Sequence, residues 1–136
     1  MEPDVSTYYV AVVECRRKGE VGQWSHMATF DLWKAYGIGA ICHRPIWWSD
    51  SVGAYVRREG MVYPGLPNNV SREASSLHSG AFDAYAAAVS IDVVHQLFEY
   101  KEDQAPLLYV QPFLAYCMVI RRGAFDHDYR VIVMHD

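Results

Sequence analysis

SGAFDAYAAAVSIDVVHQLFEY, residues 79–100, decides how the rest of the chain is assembled. Phe82, Tyr85, Ala86, Val89, Val93, Leu97 and Tyr100 fall in steps of three and four, the spacing of one helical face. Ala86, Ala87 and Ala88 favour helix and permit close packing. Lys101-Glu102-Asp103-Gln104 and then Pro106 end the segment. The spacing predicts one long helix over 79–100 that buries Phe82, Tyr85, Val89, Val93 and Leu97. Residues 71–77 add a turn or two upstream, with Gly80 as a weak joint.

Working outward, the segments on either side read as strands. TYYVAVVEC, residues 7–15, is β-branched and aromatic. RRKGEVGQ follows with two glycines and four charges, which marks a turn. WSHMATFDL, residues 24–32, alternates in part and is read as a second strand antiparallel to the first. Downstream, LLYVQPFLAYCMVIRR, residues 107–122, is rich in strand formers, and Pro112 places it at an edge or a break. A polar turn over 123–128 and the strand YRVIVM, residues 129–134, complete a C-terminal hairpin. In the middle, Ser49 is a helix N-cap candidate, Asp50 suits the first turn and Gly60 can end it, so residues 49–58 are read as a short helix. MVYPGLPNNVS, residues 61–71, is read as a connecting loop. The expected fold is α+β, one domain over 1–136, with an antiparallel sheet of about four to five strands and one long helix packed on it.

Composition narrows the function classes. The chain has 136 residues, 51% hydrophobic and 14% aromatic, enough for a substantial core. A net charge of −4 argues against direct nucleic-acid binding. The doublets Arg16-Arg17, Arg57-Arg58 and Arg121-Arg122 close apolar runs and read as solvated turn charges. MEPDVSTYYV lacks the pattern of a secretory signal, and no apolar run nears the roughly 18 residues that span a bilayer. Cys15, Cys42 and Cys117 lack the pairing of disulfide scaffolds or zinc ribbons. The expectation is a cytoplasmic protein with free thiols, no metal and no cofactor.

The residues that could carry chemistry are few. Asp92 and His95 stand at i and i+3, a spacing that can hold two metal ligands, yet no further ligand motif accompanies them. Asp126-His127-Asp128 crowds carboxylates around an imidazole but also suits a hairpin turn. Cys42-His43 are neighbours in the chain, whereas a nucleophile and its base must meet in space. Nucleophile-elbow, phosphate-loop and dinucleotide motifs are absent.

What remains is the aromatic surplus. Ten Tyr and four Trp can bury large area while keeping a polar tip, which suits an interface. Trp47, Trp48, Asp50, Tyr55 and Tyr63 cluster in the irregular middle. If RPIWWSD, residues 44–50, is extended, its two indoles face opposite ways, and one is left for a partner. The leading expectation is therefore a non-catalytic domain that docks on another protein. That places it with inhibitors, such as immunity proteins in toxin–antitoxin or phage–host conflict, acting on a basic, nuclease-like partner. The alternative is a small enzyme or ligand-binding domain. Its pocket would lie between helix and sheet, lined by Tyr85, Tyr116 and Trp24, with His95 or His127 as acid–base. A third possibility is a homo-oligomer formed through edge strands.

Overall fold

The structure, a computed structural model, describes residues 8–33, 46–49, 54–57, 62–91, 94, 107–123 and 126–136. Strands β1 (Tyr9–Arg17) and β2 (Ser25–Trp33) form where the sequence places them and pair antiparallel. They are joined by a turn containing Gly19 and Gly22, both at positive φ. The strand β7 (His127–His135) is not half of a C-terminal hairpin. It lies between β1 and β6 (Tyr85–Ser90), antiparallel to both. The three-residue β5 (Val62–Pro64) adds to β6 inside the predicted loop, giving the order β2-β1-β7-β6-β5. Gly65, at φ 89, then turns the chain off the sheet while its N–H donates to Ala86 O at 2.8 Å.

The α+β class holds, but helix and strand exchange places in the second half of the chain. YAAAVS is strand β6, and helical backbone begins only afterwards, at Ile91 and Val94. Val93, Leu97 and Tyr100 lie outside the described residues. Residues 107–122, expected as strand, form the helix α2 (Leu107–Arg122). Its buried or half-buried Phe113, Leu114, Cys117 and Ile120 lie one helical stripe apart. Pro112 sits exposed inside this helix rather than on a sheet edge, where it withholds one i→i−4 hydrogen bond. The upstream turns are real: α1 (Arg72–Ser79) starts at the N-cap Ser71, whose hydroxyl accepts from Ala74 N at 3.3 Å.

The expected helix over 49–58 is also replaced by strand. β3 (Ile46–Ser49) and β4 (Ala54–Arg57) form a separate antiparallel pair, with Trp47 opposite Val56 and Trp48 opposite Tyr55. Both segments are dominated by β-branched and aromatic residues, whose side chains suit a pleated surface. That preference outweighs the capping signal of Ser49.

Both faces of the five-stranded sheet are buried, which explains why its central strands read as unbroken apolar runs. On one face Tyr9, Ala11, Val13, Ala87, Val89, Val131 and Val133 meet Phe113, Leu114 and Cys117 of α2, with Leu32 and Val94. On the other, Val10, Val12, Ala86, Ala88, Ile132 and Met134 meet Ala74 of α1, with Val70 and partly Leu66, Leu77 and Phe82. Alanine occupies three of the six positions of β6, and the three divide between the two faces: Ala87 joins the cluster that contains α2 residues, Ala86 and Ala88 the one that contains Ala74 of α1. No helix among the described residues is long and apolar enough to cross a membrane.

Candidate functional site

The α1 face does not stay apolar to its end. Glu14, on the same side of β1 as Val10 and Val12, has 0% exposure. A buried carboxylate is costly unless hydrogen-bonded and paired. Here one oxygen accepts from Ser71 N at 2.6 Å and the other from Arg130 Nε at 2.8 Å. Register brings the pair together, since Glu14 and Arg130 are cross-strand partners. The contact to Ser71 has a second consequence. In a capping box the residue at N3 reaches back to the N-cap N–H. That position is Ala74 in α1, and Glu14 of β1 supplies the carboxylate instead, fastening the helix to the sheet.

Arg130 is held from two further sides. Its Nη2 donates to Asn69 Oδ1 at 3.1 Å, and its guanidinium lies 4.3 Å from the ring centroid of Trp24. Burial pushes Arg130 below its usual value, while the hydrogen bond and charge of Glu14 oppose the shift. A second guanidinium, from Arg16, lies 4.5 Å from the same indole and donates from Nη1 to Gly22 O at 3.2 Å. The Arg16 Nε is buried and has no acceptor among the described residues. Trp24 N donates to Asn69 O at 2.9 Å, and Gln23 Nε2 to Val70 O at 3.1 Å, so the loop before α1 is tied to the start of β2.

These contacts build one wall of an open groove of about 600 Å³. The small side chains of Ala88 and Ser90 form its floor. Tyr63, 59% exposed and opposite Ala88 across the β5–β6 pair, forms the far wall. Pro67, Asn68 and Asn69 close one end. The groove therefore offers an aromatic ring, two amides and a guanidinium.

A smaller cleft of about 250 Å³ opens at the end of β1, where Cys15, Arg16, Arg17, Gln23 and His127 meet. Burial and, second, the Glu14 charge push the Cys15 thiol above its usual value, so it stays protonated at neutral pH. Burial pushes Cys117, beneath α2, up to about 12. No group of three His, Cys, Asp or Glu residues able to hold a metal occurs among the described residues.

The residues singled out from sequence are only partly brought together. Tyr63 borders the groove. Trp47, Trp48 and Tyr55 lie on the β3–β4 pair, and Asp50 lies outside the described residues, as do Asp92, His95, Cys42 and His43. Tyr85 and Tyr116 pack on the α2 face, whereas Trp24 lines the groove, so these three do not form one pocket. His127 borders the Cys15 cleft, and Asp126 and Asp128 beside it are exposed. Glu14 and Arg130 were not anticipated. The available signal was a lone charge in each of two apolar runs, VAVVEC and YRVIVM. No family model matches the chain, and no characterised protein or solved structure resembles it significantly.

Proposed function

We propose that the chain is a non-catalytic, cytoplasmic protein-binding domain of the inhibitor or immunity kind, docking through Trp47, Trp48, Asp50, Tyr55 and Tyr63. The observation that carries this reading is Tyr63: a large aromatic, 59% exposed, on a short edge strand beside a groove. A side chain of this type buries large area at an interface with little loss of rotamer entropy. The net charge of −4 favours a basic partner. A second reading, a small enzyme using His127, draws on the Cys15–His127 cleft; the protonated thiol gives it less support.

The test is affinity capture from the native host, with the parent chain and single alanine variants at Trp47, Trp48 and Tyr63. A protein retained by the parent, and lost with at least one variant that melts like the parent, supports docking. Retention unchanged across all folded variants removes this surface from consideration.

A further inference from the structure

The groove beside β5 has a chemistry that goes beyond the docking reading and stands without it. We propose that it binds a carboxylate carried on an aromatic or apolar group, with the carboxylate seated on Arg130.

The donor count of Arg130 comes first. A guanidinium has five N–H groups. Nε is used by Glu14 and one N–H of Nη2 by Asn69, leaving both N–H groups of Nη1 and the second on Nη2 without an acceptor among the described residues. The side chain is only 14% exposed, so these donors are supplied mainly by whatever occupies the groove that Arg130 lines. One N–H on each Nη lies parallel to the other at the tip of the planar fork. That pair matches the two oxygens of a carboxylate. Glu14, Asn69 and Trp24 already fix the guanidinium, so little side-chain freedom is lost on binding.

Charge and shape select the rest of the ligand. Arg130 is the only charged side chain among the described residues lining the groove, within a chain of net charge −4. Glu14 is turned away from it, into Ser71 and Arg130. Arg16 adds a second cation over the same indole, while the exposed Asp128, in register with Arg16, offsets it from the solvent side. With Glu14 compensating Arg130 and Asp128 offsetting Arg16, the four groups carry no net charge, so the seat rests on the unused N–H donors and suits a single carboxylate better than a dianion. Tyr63, Pro67 and Ala88 present apolar surface within the same space, and about 600 Å³ accommodates a ring beside the carboxylate. Asn68 supplies an exposed amide for a neighbouring polar group.

The experiment titrates N-acetylphenylalanine into the ¹⁵N-labelled full chain and follows the Arg130 Nε–H and Trp24 Nε1–H resonances. Both should shift together and saturate. N-acetylphenylalaninamide, which lacks the charge, should bind at least about tenfold more weakly, the scale of one lost charge-assisted contact. Gly-Gly-Phe with a free or an amidated end separates a small acid from a chain terminus as the source. Binding by either free acid supports the seat. Inorganic phosphate should not displace N-acetylphenylalanine. Tyr63→Ala should weaken binding by about fivefold with an unchanged melting temperature. No saturable shift with either acid, equal affinity for acid and amide, or displacement by phosphate at equal concentration overturns the proposal. None of these results bears on capture of a protein partner.

Discussion

On one face of the sheet, α2 lays Phe113, Leu114 and Cys117 over Tyr9, Ala11, Val13, Val131 and Val133, and aromatic rings finish the seal, Phe30 meeting Phe113 at 5.5 Å and Tyr116 at 5.2 Å. On the other, α1 covers Val10, Val12, Ile132 and Met134 and then stops, leaving the end of the sheet to Glu14, Arg130, Trp24 and a groove. The first face is held mainly by non-directional burial, which tolerates small shifts. The second is held by contacts with fixed donors and acceptors, some of which are left over. Spare hydrogen-bonding capacity, and with it the capacity to recognise another molecule, lies on the second face.

The largest effects should come from cutting each face at its centre. Phe113 is fully buried, and Phe113→Ala should cost about 3–5 kcal/mol through lost transfer energy and a cavity. Arg130→Ala should cost a similar amount, about 3–5 kcal/mol, for a different reason: it strands the carboxylate of Glu14 in a site of 0% exposure. Urea unfolding of both variants measures the costs, and a double variant separates the causes. Glu14→Met with Arg130→Met removes both charges, so it should be less destabilising than Arg130→Ala alone. A double variant as damaging as the sum of its singles would show that the two residues act independently and erase the contrast between the faces.

A middle-sized effect tests the layer arrangement. Ala87, on β6, has 0% exposure and lies in the same core cluster as Phe113, Leu114 and Cys117 of α2. Ala87→Leu should cost about 1–3 kcal/mol by forcing the helix off the strand. A melting temperature equal to the parent's would mean that α2 does not press there.

Ser71→Ala is smaller again. It removes the hydroxyl that caps α1 but leaves the N–H that Glu14 holds, so the expected loss is about 1 kcal/mol. Its effect should grow less than additively when combined with Glu14→Gln, since both changes loosen the same helix end. Strict additivity in a double-mutant cycle would separate the helix cap from the buried pair.

The two faces were not equally legible in the sequence. β1 and β2 were readable because their runs are β-branched or alternating and joined by a glycine-containing turn. Ser71 announced α1. The exchange between β6 and α2 was not readable from local preference. Three alanines favour helix by propensity, yet here they are buried on both faces of an interior strand, a requirement that only the assembled layers impose. In residues 107–122, Val, Tyr and Phe suggested strand and Pro112 a break. The stripe Phe113, Leu114, Cys117 and Ile120 carried the helical period, and tertiary burial decided in its favour. The site was hidden for a geometric reason. Glu14 and Arg130 are 116 positions apart, and they meet only because β7 inserts between β1 and β6.

The smallest expected effect on stability belongs to Tyr63→Ala, and it bears most directly on function. Tyr63 is 59% exposed on a three-residue edge strand, lines the groove, and belongs to neither core cluster. Truncation should change unfolding free energy by less than about 0.5 kcal/mol, as for other surface positions. A captured partner should nevertheless bind about tenfold or more weakly if the ring is an anchor, the loss expected of an interface hot spot. The contrast with Phe113→Ala is then complete: one aromatic deletion lowers stability, and the other lowers affinity while leaving the fold intact. A Tyr63→Ala chain that loses 2 kcal/mol of stability or more would place the ring in a packed environment. Tyr63 would then belong with the core aromatics, and the docking surface would have to be sought on the β3–β4 pair alone.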